Sequence, residues 1–114
     1  MTPELPRTIR LFGDLDLRSA RELQATLSEA VGDRTRELVI DVRQVSFIDS
    51  TALGALVRAA EQLRNQGRAL TLAVVPGSPV DGLLSVSGLA GRFGLVSEPP
   101  GTARGSSPDP AAAA

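Results

Sequence analysis

The chain has 114 residues, is 42% hydrophobic and carries a formal net charge of −1, which fits one small domain with a real core and leaves no electrostatic footprint for nucleic acid or an anionic membrane. It has no Cys and no His, which removes disulfides, thiolate nucleophiles, histidine bases and the usual zinc sites. All twelve basic residues are Arg, and they are scattered, while the only aromatic residues are three Phe.

Residues 1–6 hold two prolines and read as a loose start. Thr8 to Phe12 reads as a short strand closed by Gly13-Asp14. Asp16 to Gly32 reads as a helix, with capping-box spacing between Ser19 and Glu22 and with Asp16 just upstream. Ala20, Leu23, Leu27, Ala30 and Val31 recur at steps of three and four, which gives one buried face. Glu37 to Val42 is a continuous apolar run of strand length, the pattern of a strand covered on more than one side. Val45 to Ile48 extends or follows it.

Thr51 to Gln66 reads as the second helix. Its apolar stripe is Leu53, Leu56, Val57, Ala60 and Leu63, and Gly67 is a natural stop. Thr51, Ala55, Arg58 and Gln62 point away from that stripe, flanked by Gly54 and Ala59. This face reads either as plain solvent surface or as a place where another backbone approaches closely. Leu70 to Val75 is the next strand, Val80 to Ser87 a short helix, and Leu89 to Ser97 holds a short last strand. From Pro99 the composition turns to Pro, Gly, Ser and Ala, so residues 99–114 are expected to be a disordered tail behind a domain spanning 1–98.

The order strand–helix–strand–helix–strand–helix–strand implies an α/β domain. The expected architecture is a small mixed sheet of about four to five strands, with the helices packed mainly on one face. No apolar run approaches the ~20 residues of a spanning helix, and the N-terminus has no apolar core of a secretion signal, so a cytoplasmic protein is expected.

The most specific chemistry lies at Phe47 to Leu56, FIDSTALGAL. An apolar strand ends, Asp49-Ser50-Thr51 follows, and a helical pattern begins at once. Ser50 thus stands at a helix start. Its hydroxyl is an N-cap, whose loss would cost about 1 kcal/mol, or a site for a phosphoryl group, or both in turn. Catalysis has little to work with: no His or Lys can serve a nucleophilic Ser, and no phosphate-binding glycine motif leads from a strand into a helix. Asp14 and Asp16, like Asp41 and Asp49, are close enough in sequence for acid–base work, but turn and cap positions account for Asp14 and Asp16. No enzyme is expected, and no cofactor or metal.

These residues resemble the STAS domain family, in particular the bacterial anti-sigma factor antagonists. GDLD at Gly13 to Asp16, followed by Ser19-Ala20, resembles the family's start of the first helix. VSFIDSTALGAL at Val45 to Leu56 resembles its central signature. The resemblance covers most of residues 8–97. It implies a protein that, when unphosphorylated, binds an anti-sigma factor that is also a serine kinase with a histidine-kinase-like ATP fold. That binding frees a sigma factor. Phosphorylation at Ser50 (Thr51 being the alternative) releases the antagonist, and a serine phosphatase restores it.

Partner contact is then expected from Asp16, Asp49, Ser50, Thr51, Ala52, Gly54, Ala55 and Arg58. Ala52 stands where the family has glycine, so its methyl is expected to face a docked kinase. The family's extra N-terminal edge strand would have only seven residues here. The other role that the resemblance allows is a non-switching scaffold or soluble subunit of a stress-sensing or transport complex.

Overall fold

The structure, a computed structural model, describes residues 6–33 and 37–99. Four strands alternate with three helices: β1 (Arg7–Leu15), α1 (Leu17–Gly32), β2 (Leu38–Ile48), α2 (Ser50–Asn65), β3 (Leu70–Ala73), α3 (Pro79–Ser87) and β4 (Gly94–Val96), with a 3₁₀ turn at Ala90–Arg92 before the last strand. The sheet order is β1-β2-β3-β4.

Every described pairing is parallel, where a mixed sheet was expected. The reason is connectivity: each strand is followed by a crossover that returns the chain to the same end, so neighbours run in one direction. Any edge strand ahead of β1 would fall largely on residues 1–5, outside the described residues, as does nearly all of the tail expected from Pro99.

β1 runs past the expected stop at Gly13-Asp14. Gly13 takes a positive φ of 72°, a conformation open to glycine at little cost. The register with β2 shifts at this point, and again between Arg10 and Phe12. Both shifts put the extra residue on β2, so the bulges lie in β2 and the glycine sits within a continuous strand rather than in a turn that ends it.

β2 is the longest strand, and Leu38, Val39 and Ile40 are all buried, as the unbroken apolar run suggested. One sheet face, through Leu38, Ile40, Val42, Leu70, Leu72 and Val74, joins a continuous core with Leu23 and Leu27 of α1, Leu56 and Leu63 of α2, and Val80 and Leu84 of α3. On the other face Asp41 is buried and ionically paired: Arg43 holds its two oxygens at 2.9 and 3.0 Å, and Arg10 stands at 3.9 Å. Burying a carboxylate is tolerable when its oxygens are shared in this way.

The end of α2 follows from Gly67. Its φ of 76° lets the Arg68 N–H donate to the Leu63 carbonyl at 2.8 Å while its own N–H donates to the Arg64 carbonyl at 2.9 Å. This Schellman arrangement satisfies carbonyls that a helix end otherwise leaves open.

Candidate functional site

β1 and β2 are neighbours and parallel, so the loops that leave them emerge side by side. Leu15 pairs with Ile48, and the next residue after Ile48 stays in the ladder: the Asp49 N–H donates to the Leu15 carbonyl at 2.9 Å. Asp16 follows Leu15. The two carboxylates that lie 33 positions apart in the chain thus stand at one end of the sheet, each at the start of a helix.

Each Asp caps its helix. Asp16 Oδ1 accepts from the N–H groups of Arg18 at 3.0 Å and Ser19 at 3.2 Å, while Ser19 Oγ accepts from the Asp16 N–H at 2.9 Å. The capping box is therefore Asp16 with Ser19, one turn earlier than the Ser19–Glu22 spacing suggested. Asp49 Oδ1 accepts from the Ala52 N–H at 2.9 Å, and the Asp49 carbonyl accepts the Leu53 N–H at 2.9 Å.

Asp49, not Ser50, is the N-cap of α2, which corrects the expectation for Ser50. The strand register explains it. Ile48 is the last strand residue, so the first residue free to turn with extended backbone is Asp49. Ser50 is already the first helical residue, one past the cap position, and the Ala52 N–H that a cap would take is held by Asp49. Its hydroxyl is exposed and has no hydrogen-bond partner among the described residues. Thr51 is exposed beside it. Replacing Asp49 by Ala should cost about 1 kcal/mol, read by denaturant unfolding, whereas Ser50→Ala should change stability by less than about 0.5 kcal/mol. A Ser50→Ala loss as large as that of Asp49→Ala would put the cap back on Ser50.

Two of the residues expected to meet a partner are buried. Ala52 is 0% and Ala55 3% exposed, and both belong to the core together with Ala59. α1 packs along this side of α2, so the covered face is wider than the Leu53–Leu63 stripe. The Ala52 methyl points into the core and cannot crowd a docked protein. Thr51 and Arg58 remain exposed, and Gly54, Asp16 and Asp49 are half-buried.

Two apolar residues at the same end escaped the sequence reading. Leu17, the first residue of α1, is 70% exposed, and Phe47, paired in register with Asp14, is 53% exposed. Leu17 gave no signal, because it continues the three-and-four spacing of α1 one step before Ala20. Phe47 gave none either, because it stood inside an apolar run.

The carboxyl of Asp16 is held below its ordinary value of 3.8, chiefly by the Ser19 N–H bond, with burial opposing and the Arg18 N–H, the Ser19 hydroxyl and the Arg18 charge adding to the effect. A depressed pKa stabilises the fold above the unfolded-state value, and that contribution is lost as pH falls through the folded-state value. Asp16→Asn keeps a capping oxygen but not the charge. The advantage of the wild type over Asp16→Asn in thermal unfolding should therefore shrink as pH drops below about 4, and a constant difference down to pH 2 would refute it.

Among the described residues no group of three or more carboxylates is placed to hold a metal ion, and no helix is long and apolar enough to cross a membrane.

Comparison with known proteins places this geometry. A family model described as "Mlab, STAS domain" matches residues 3–97. The anti-sigma-B factor antagonist of Staphylococcus aureus strain NCTC 8325 is 31% identical over 62 residues, which is 54% of this chain and 57% of that protein. The matched segment thus spans little more than half the length of these curated relatives. Among solved structures, unphosphorylated SpoIIAA, an anti-sigma factor antagonist, superposes with a TM-score of 0.64 at 22% identity, over 86% of this chain and 84% of the other. SpoIIAA of Bacillus in its phosphorylated form gives a TM-score of 0.60 at 24% identity, over 85% and 86% of the two chains. A putative anti-sigma factor antagonist of Thermotoga maritima gives 0.66 at 19%, over 77% of each. These structures share the fold, and the family model covers residues 3–97 with its α/β architecture and the Asp-capped start of α2, so the chain belongs to the STAS domain family.

Proposed function

We propose that this protein is a non-catalytic, cytoplasmic anti-sigma factor antagonist switched by phosphorylation at Ser50. In its free form it docks on an anti-sigma factor that is also a serine kinase, and a sigma factor is released. The kinase, with a histidine-kinase-like ATP fold, holds Mg²⁺-ATP. Ser50 Oγ attacks the terminal phosphorus, its proton passes to a base of the kinase, and ADP leaves. A serine phosphatase later delivers water to the phosphorus, the P–Oγ bond breaks, Ser50 Oγ takes a proton and inorganic phosphate leaves.

The observation that carries this reading is the free hydroxyl of Ser50. Because Asp49 supplies the cap, Ser50 Oγ is exposed and unbonded on the first turn of α2. A kinase can take it without breaking a structural bond. The names of the Staphylococcus aureus relatives support the same reading.

The switch works through the surface, not the fold. A phosphate adds about −1.5 to −2 charges, and the first turn of a helix tolerates them because its N–H groups carry partial positive charge. The docking surface is formed by Ser50, Thr51, Gly54 and Arg58 on α2, with Asp16, Asp49 and the exposed Leu17 and Phe47 at the same end. Apolar side chains there supply affinity. New charge at Ser50 changes the potential at the centre of that surface.

Phosphosite mapping of the protein isolated from its host tests the reading. Modification at Ser50, absent after deletion of the partner kinase, is the expected result. Modification at Thr51 alone would move the switch by one residue, and a protein never phosphorylated at either position would refute it.

A further inference from the structure

The arginine two turns below Ser50 has an unusual position. Arg58 is exposed, and among the described residues it has no carboxylate or hydrogen-bond partner. Its Nη1 atom nevertheless lies only 3.6 Å from the point that a Cβ on Gly54 would occupy. The side chain is laid back along the helix toward its N-terminus, the direction in which helical Cα–Cβ bonds tilt.

Ser50, Gly54 and Arg58 follow one another at steps of four and share a face. Side chains four apart stand about 5–6 Å from each other at Cβ. The guanidinium therefore already covers one of the two turns that separate Arg58 from Ser50. Gly54 leaves the intervening surface bare, so nothing blocks the remaining turn.

We propose that Arg58 is the internal receiver of a phosphate on Ser50. When the phosphoryl group is present, the guanidinium moves the last few ångströms across Gly54 and donates two N–H groups to its oxygens. Arg suits this task because its planar fork matches two phosphate oxygens at once. The contact has two consequences for the switch. It holds the phosphate against the helix, over the surface that a partner would cover. It also withdraws the Arg58 charge from the adjoining groove between α1 and α2, which is lined by Arg21, Gln24, Ala25 and Ser28 and has a volume of about 420 Å³. The unphosphorylated protein presents Arg58 to a partner; the phosphorylated one spends it internally.

This inference rests on the assignment of Ser50 as the phosphorylation site, but its test does not need the kinase. The full chain is produced with phosphoserine incorporated at position 50 during translation, as wild type, as Arg58→Gln and as Arg64→Gln, a control in the last turn of the same helix. The second ionisation of the phosphate is followed by phosphorus NMR. An ion pair favours the dianion, so it lowers that pKa. The wild type and Arg64→Gln should titrate about half a unit below Arg58→Gln, the size expected of a solvent-exposed pair. The difference should shrink in 1 M salt, where exposed charges are screened. The nearby Asp16 and Asp49 are common to all three proteins and cancel in the comparison.

Identical titration of wild type and Arg58→Gln would overturn the proposal, as would an equal displacement by Arg64→Gln. Either result would leave Ser50 free to act as a switch through charge alone. A Ser50 that is never modified in the host would refute the proposed function without altering this titration.

Discussion

Ser50→Asp should fold like the wild type and bind the proposed anti-sigma partner at least tenfold more weakly, a change of about 1.4 kcal/mol or more. The fold survives because residue 50 is the first helical residue of α2, where a negative side chain meets the positive end of the helix dipole and is neutral to stabilising. Binding suffers because a charge enters the middle of the proposed docking surface, where a covering partner would strip it of water without pairing it. A charge buried at an interface without a partner costs several kcal/mol, and Asp carries one charge where phosphate carries nearly two. Ser50→Ala provides the contrast. Its hydroxyl makes no structural bond, so the variant should be folded, unmodifiable and persistently bound. Calorimetric titration of both variants against the purified partner reads the effect. Equal affinities for Ser50→Asp and Ser50→Ala would mean that charge at this position does not govern docking.

Ala52→Leu should lower stability by about 1–3 kcal/mol, the usual cost of forcing extra methylenes into a packed core. In a domain of this size each kcal/mol displaces Tm by roughly 4–8 °C. Ala52 has no exposed surface and belongs to the core. Were it on a free outer face, as expected of a methyl that faces a docked kinase, leucine would be nearly neutral, because both residues are strong helix formers. Thermal unfolding of this one variant therefore separates a buried from an exposed N-terminal turn of α2. A Tm unchanged within a degree or two would contradict the packing of this turn.

Most of the fold was legible because its elements obey local rules. The steps of three and four in Ala20–Val31 gave α1 its buried face, and the unbroken Leu38–Ile40 run marked the interior strand. Gly67 announced the end of α2. What failed to show were features set by strand register. Gly13 looks like a turn in sequence, yet pairing with β2 carries the strand on to Leu15. Asp49, Ser50 and Thr51 are all acceptable caps, and nothing local ranks them. The ladder decides, because it holds the chain extended through Ile48 and ties the Asp49 N–H to Leu15.

The burial of Ala52 and Ala55 was hidden for a related reason. A helix that packs on the sheet alone needs one apolar stripe, whereas α2 also packs against α1, and alanine is at home on either a surface or a close helix contact. The juxtaposition of Asp16 and Asp49 follows from strand pairing. Asp16 and Asp49 do meet at one end, because the strands that carry them are parallel neighbours.

The most direct test of the switch is affinity capture from host extract with Ser50→Ala and Ser50→Asp as paired baits, with the retained proteins identified by mass spectrometry. A phospho-switched antagonist requires that Ser50→Ala retain an ATP-binding, kinase-like anti-sigma factor and that Ser50→Asp lose it. Retention of the same large assembly by both baits would contradict the switch and mark the protein as a constitutive scaffold or subunit.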